Sequence, residues 1–133
     1  MIYLDWNATA PLHPAARAAM DPWLGLPANP SSAHRLGQRA AMAVEDARAT
    51  VARVCGWRPE GVVFTSGATE ANTTVLRSGR WLVSAVEHPS VRAWATAEIP
   101  VDAQGVVRLD ALAALLREGF DGVSVMLANN ETG

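Results

Sequence analysis

Apolar residues follow two different spacings along this chain. Over 33–55 they recur at Leu36, Ala40, Val44, Ala47, Val51 and Val54, the three-to-four interval of one helical face, and the stripe stops at Gly56. Upstream, His13-Pro14 predicts the start of a helix over 15–23, with proline where a first-turn N–H is not needed, ending near Gly25. Segment 2–12 reads as extended and proline-ended, and 27–32 reads as a loop with Asn29-Pro30 as its turn signal. After Gly56 the pattern changes to short apolar runs between polar turns. It predicts strands at 61–65, 81–86, 99–101 and 123–128, and helices at 69–77, 89–98 and 110–118, the last capped by Asp110. A turn is expected at 102–105. Strands alternating with helices argue an α/β fold with a mostly parallel sheet and helices on both faces. Four short strands leave a sheet edge and an apolar face uncovered. The fold is therefore expected to be incomplete at its C-terminal side, with residues beyond 133, in the same precursor or a second polypeptide, completing the sheet.

Composition narrows the class. A chain of 133 residues can form one domain that buries roughly two-thirds of its unfolded surface. With 50% hydrophobic and 18% charged residues it is globular rather than disordered. The balance of 11 basic and 13 acidic residues, net −2, argues against nucleic acid as a partner. No apolar run approaches the ~20 residues of a membrane span, and the start, Met1-Ile2-Tyr3-Leu4-Asp5, lacks the features of a signal peptide. The single cysteine excludes an internal disulfide and fits a reducing cytoplasm. Three histidines and one cysteine are too scattered for metal-ligand spacing. The five tryptophans, without a basic stripe, are expected as core or interface anchors.

The segment Val62-Val63-Phe64-Thr65-Ser66-Gly67-Ala68-Thr69-Glu70-Ala71-Asn72 carries the most chemistry. A strand that breaks at Gly67 into a helix leaves first-turn N–H groups unpaired at the positive end of the helix dipole, a ready anion site. Thr65, Ser66 and Thr69 add hydroxyl donors, and Gly67 removes a Cβ from the approach. An ordinary capped turn, with Ser66 or Thr65 as N-cap, accounts for the same residues. His88, between a strand end and a helix opened by Pro89, lies where ligands bind in open α/β sheets. It can stack on a flat ring and move protons, or merely cap the helix. Asn130 can donate its amide to a ligand oxygen, or Asn129 and Asn130 can form an Asx turn. Cys55, at the end of an apolar stripe, is expected to be a buried structural residue rather than a nucleophile, and His13 a surface or cap residue.

These segments occur in a recognisable order. Tyr3-Leu4-Asp5-Trp6-Asn7-Ala8-Thr9-Ala10-Pro11, Asn29-Pro30-Ser31-Ser32-Ala33-His34-Arg35-Leu36-Gly37, the Gly67 turn, Glu87-His88-Pro89-Ser90-Val91 and Asn129-Asn130-Glu131-Thr132-Gly133 follow one another. Together, over 2–133, they resemble the N-terminal part of cysteine desulfurases, pyridoxal 5'-phosphate (PLP) enzymes of the class V aminotransferase superfamily and of fold type I. The resemblance implies a leading segment at 1–14 near the active-site entrance and, over 15–133, the N-terminal part of the PLP-binding large domain. It implies that Gly67, Ala68 and Thr69 hold the cofactor phosphate. It further implies that His88 lies over the ring as acid/base, and that Asn130 contacts the phenolic oxygen. Asn7, Ala8, Thr9 and Asn29 fall on substrate-entrance positions, although Asn29, Ser31 and His34 are accounted for as well by turn formation and capping. Trp6 and Ala10 depart from the residues common in the family there, which bears on substrate contacts. The implied reaction is conversion of L-cysteine to L-alanine, with sulfur passed to an enzyme cysteine downstream of this segment for iron–sulfur clusters or thiolated molecules. A homodimer, a sulfur-acceptor or scaffold protein and a cytoplasmic setting are implied with it.

All 11 basic residues are arginine, and PLP chemistry of this kind requires a lysine amine to hold the cofactor covalently. This chain alone is therefore expected to be inactive and to need a missing C-terminal portion or a complementary chain. Two other readings stay open: another class V enzyme, such as a selenocysteine lyase or an aminotransferase, and a truncated, non-catalytic homologue that serves as an interaction subunit.

Overall fold

A computed structural model describes residues 2–6 and 8–132. The chain forms two compact units, one of Pro11–Phe64 and one of Met1–Ala10 with Thr65–Gly133.

In the first unit, helix α1 (Pro14–Leu24) starts at His13, whose Nδ1 accepts the Ala15 N–H at 3.2 Å, and it contains Pro22. Helix α2 (Arg35–Val54) is capped in the same way by His34. Its end is fixed by backbone geometry. Gly56 takes φ of 63° and donates to the Arg53 carbonyl, while Trp57 N–H donates to the Ala52 carbonyl at 2.8 Å. This paired closure uses a left-handed residue after the last turn, a conformation glycine adopts without steric penalty. Cys55 is the C-cap residue and is exposed, correcting its expected burial. Met20, Trp23 and Leu24 of α1 face Ala40, Val44 and Ala47 of α2 across an apolar cleft of about 680 Å³.

The strand expected at 61–65 is absent. Pro59–Gly61 form a short 3₁₀ turn, Val62 is extended, and 62–65 have no ladder partner. The Val62 carbonyl accepts instead from the Arg48 guanidinium, which also lies 5.1 Å from the centre of the Phe64 ring. An apolar run supplies strand propensity, but pairing needs a neighbouring edge, and here a side chain takes the carbonyl.

The second unit holds helix α3 (Ala68–Leu76), strand β1 (Trp81–Ser84), helix α4 (Pro89–Arg92), strand β2 (Ala95–Ile99), helix α5 (Leu109–Leu115) with a 3₁₀ extension, and strand β3 (Gly122–Ser124). The sheet order is β2-β1-β3 with both pairings parallel, Leu82 matching Ala97 on one side and Val123 on the other. The expected α/β class with a parallel sheet is thus present, with three described strands rather than four.

β1 is the centre: Leu82, Val83 and Ser84 are completely buried, as continuous apolar strands in parallel sheets are. Leu76, Val83 and Val91 form the core cluster, with Trp81 and Ala95 packed against it. The Trp81 ring lies on Gly122, where a Cβ would come 2.2 Å from Cζ3, so the smallest residue is required for that contact. The other tryptophans, Trp6, Trp23, Trp57 and Trp94, are exposed and are not core anchors.

The helix expected over 89–98 ends after one turn, and its second half is β2. Within β2, Ala95, Ala97 and Ile99 face inward while Thr96 and Glu98 are exposed. That is a period-two pattern which the alanines conceal from a hydrophobicity reading. Glu98 pairs with Arg92 at 2.7 Å. Asp102 organises the turn at 102–105 by accepting the N–H groups of Gln104 and Val106, both at 2.9 Å. Asp110 is not the cap of α5; Arg108 holds that position, and the two side chains pair at 2.8 Å. After β3, Val125 and Leu127 are exposed. No helix among the described residues is long and apolar enough to cross a membrane.

Candidate functional site

Gly67 is the N-cap of α3, with φ of 165°, an extended conformation open to any residue. A Cβ built there meets nothing within 4 Å, so the space beside this backbone is open. The first rung of the helical ladder runs from Ala71 N–H to the Gly67 carbonyl at 3.1 Å. The amides of Ala68 and Thr69 therefore have no intrahelical acceptor, and both residues are exposed. Of the hydroxyls expected around this turn, two are used locally. Thr65 Oγ1 donates to the Gly67 carbonyl at 3.0 Å, and Ser66 bonds to Glu70. Neither Thr65 nor Ser66 is the N-cap. Thr69, on the first turn itself, completes a donor set of two amides and one hydroxyl, which matches the acceptor chemistry of a phosphate.

Glu70 reaches back to accept Ser66 N–H at 2.7 Å. Bonds from the Ser66 hydroxyl and then from its amide hold the Glu70 carboxyl below its usual value. A carboxylate whose folded pKa is depressed contributes stability above its unfolded value and loses it as pH falls through the folded one. The stability difference between the wild type and Glu70→Gln, read from denaturant unfolding at a series of pH values, is thus expected to be present at neutral pH. It should vanish as pH is lowered below the ordinary carboxylate range of about 4. An equal difference at all pH values would remove this assignment.

His88 sits one residue before α4, is exposed, and caps that helix: its Nδ1 accepts Ser90 N–H at 3.1 Å and lies 2.8 Å from Ser90 Oγ. The capping role is therefore real, and it engages only one ring nitrogen. Ser90 Oγ in turn accepts from Asn72 Nδ2 of α3 at 3.0 Å, so the helix carrying the Gly67 turn is bonded to the turn carrying His88.

Asn129 forms the Asx turn, its Oδ1 accepting Glu131 and Thr132 N–H at 2.7 and 3.0 Å, while its Nδ2 donates to the Val86 carbonyl at 2.9 Å. That bond joins the loop after β3 to the loop after β1. It brings exposed Asn130 and His88 to the walls of one cleft of about 460 Å³, with Glu87 and Arg92 also lining it. Glu87 is buried and accepts from Ser124 Oγ at 2.9 Å, a second tie between the ends of β1 and β3. The sequence gives no direct signal for Asn72 or Glu87 as members of this constellation, because their roles appear only through pairings distant along the chain.

Among the entrance positions, Ala8 and Thr9 are exposed; the Thr9 carbonyl accepts from Tyr3 Oη at 3.0 Å. Asn7 lies outside the described residues. Asn29 belongs to the other unit and makes a local turn, its Oδ1 accepting Ser31 N–H at 2.9 Å. No cluster of three or more metal-ligating side chains occurs among the described residues.

The open parallel sheet thus has His88 after β1 and Asn130 in the loop after β3, the side on which α/β sheets of this kind take their ligands, and the α3 helix is bonded to the His88 turn. The chain belongs to the family described as aminotransferase class-V, whose model matches residues 2–133. It is 40% identical to a cysteine desulfurase of Frankia sp. across all of its own length and 38% of that relative's. A human selenocysteine lyase shares 30% identity over 99% of this chain and 38% of the relative. In three dimensions it is similar to a NifS-like protein from Rickettsia africae, with a TM-score of 0.86 at 34% identity, covering 100% of this chain and 41% of that one. The chain therefore spans about two-fifths of the length of the relatives it matches.

Proposed function

We propose that this chain is the N-terminal part of a PLP-dependent cysteine desulfurase, which converts L-cysteine to L-alanine and hands the sulfur to an enzyme cysteine. The observation that carries the reading is the juxtaposition of His88 and Asn130 on one cleft, bonded through Ser90 and Asn72 to the helix whose first-turn amides are open. Bound PLP supplies the electron sink that stabilises charge at the substrate's α-carbon. Ala68 and Thr69 N–H and the Thr69 hydroxyl would hold its phosphate beside the open Gly67 backbone. Asn130 would donate to its ring oxygen, and the His88 imidazole, on the same cleft, would handle protons there. The covalent lysine and the sulfur-carrying cysteine lie outside this chain, which has no lysine and whose one cysteine ends α2. A homodimer, delivery of sulfur to an acceptor or scaffold protein for iron–sulfur or thio-cofactor synthesis, and a cytoplasmic setting belong to the same reading.

The test uses this chain assembled with the lysine-bearing remainder that its relatives carry. Added PLP is expected to give a stable visible absorbance band. Thr69→Ala is expected to weaken cofactor retention about tenfold through loss of one hydroxyl bond to a charged group. An assembled protein that retains no PLP ends the desulfurase reading. The 30% identity to a selenocysteine lyase favours one neighbouring reading, and comparing turnover of cysteine with that of selenocysteine separates the two.

A further inference from the structure

His88 differs from the other two histidines in one respect. His13 and His34 each accept a single backbone N–H at Nδ1, from Ala15 at 3.2 Å and from Gly37 at 3.3 Å. His88 Nδ1 accepts the Ser90 amide and also meets the Ser90 hydroxyl at 2.8 Å, and that hydroxyl is met by Asn72 Nδ2 at 3.0 Å. The directions of these bonds are fixed by chemistry. A backbone N–H only donates, so Nδ1 presents its lone pair and the neutral ring carries its proton on Nε2. The Asn72 NH₂ also only donates, so it uses a lone pair of the hydroxyl oxygen and leaves the hydroxyl proton for Nδ1. Turning the Asn72 amide round would aim an oxygen at Ser90 and draw the hydroxyl proton away. A hydroxyl lone pair would then face the lone pair of Nδ1, which is repulsive. The three groups satisfy one another only in the order Asn72 to Ser90 to His88.

We infer that Asn72 and Ser90 are positioning residues that lock the His88 imidazole in the tautomer protonated on Nε2. Ser90 sits two residues after His88, and Asn72 lies one helical turn beyond Thr69. The helix that offers its first-turn amides therefore also sets which ring nitrogen of His88 carries hydrogen. With Nδ1 committed to Ser90, the remaining ring nitrogen is presented as a hydrogen-bond donor. On the desulfurase reading, on which the catalytic meaning of this inference rests, His88 stabilises negative charge developing beside Nε2. Such orienting contacts determine the reactivity of an imidazole as much as its location does.

The test is ¹⁵N-histidine NMR on the full chain, at a pH where the rings are neutral, repeated on the assembled enzyme. His13 and His34 serve as internal references. His88 is expected to show a smaller Nδ1–H fraction than either reference. Ser90→Ala should raise its Nδ1–H fraction about tenfold, the effect of losing one neutral hydrogen bond, to the level of the references. Ser90→Thr should restore the wild-type signature. Asn72→Asp should raise the Nδ1–H form as well, because a carboxylate draws the hydroxyl proton away from Nδ1. In the assembled enzyme Ser90→Ala should lower kcat with KM unchanged, and Ser90→Thr should recover it. An His88 signature unaltered in both Ser90→Ala and Asn72→Asp overturns the inference, even if the enzyme proves to be a desulfurase. The expected tautomer changes in a protein that retains no PLP would leave the positioning in place and remove only the reaction assigned to it.

Discussion

Replacing His88 by alanine is expected to lower turnover of the assembled enzyme by about 10²–10⁴, the span contributed by a positioned acid/base side chain. The fold should survive. Loss of the α4 cap removes one acceptor for Ser90 N–H, and a lost N-cap costs about 1 kcal/mol. The two effects can be separated by His13→Ala, which removes a cap of the same geometry from α1. That variant should show the stability loss without the kinetic loss. Steady-state kinetics with thermal unfolding of both variants makes the comparison, and comparable turnover in the two would strip His88 of its proposed role.

Gly37→Ala is expected to be strongly destabilising. A Cβ at 37 would lie 2.1 Å from the Ser32 carbonyl oxygen and 2.8 Å from that of Asn29. Both are backbone atoms, so the contact cannot be relieved by a side-chain rotation. Alanine gains about 1 kcal/mol of helix propensity over glycine in α2. Overpacking of this severity, at the upper end of about 1–3 kcal/mol or beyond, outweighs that gain. The expected net result is a Tm lowered by several degrees, with the 29–32 loop displaced. Gly25→Ala is the control: nothing lies within 4 Å of its Cβ and φ is −100°, so its Tm should scarcely move. Equal Tm values for the two variants would refute the packing argument.

The long helix and its glycine stop were legible in the sequence because twenty residues of one spacing average out local noise. The Gly67 turn and the His88 junction were legible because short punctuated segments with strong turn residues have few alternatives. The second half of the predicted helix at 89–98 was misread because Ala95 and Ala97 suit either period. The choice was made by Leu82 and Val83 of β1, which pair with Ala97 and Glu98. The run at 61–65 failed for the opposite reason: its propensity was clear, but no described strand lies beside it. At the site, the sequence marked the residues that end strands and begin helices. It could not mark Asn72, whose partner is eighteen positions away, or Glu87, whose bond to Ser124 crosses the sheet. Cys55 shows the same limit. An apolar neighbourhood in sequence does not become an apolar neighbourhood in space when the residue closes a helix at the surface.

The central strand takes its neighbours from later in the chain. Trp81 pairs with Ala95 on one side and, after α4, β2 and α5 have all been traversed, with Gly122 on the other. During synthesis on the ribosome, Leu82 and Val83 therefore emerge before either flank exists, and the β2 side closes first. The β3 side requires a longer chain closure, which is entropically costlier and slower. In that interval the most apolar segment of the sheet presents a bare flank.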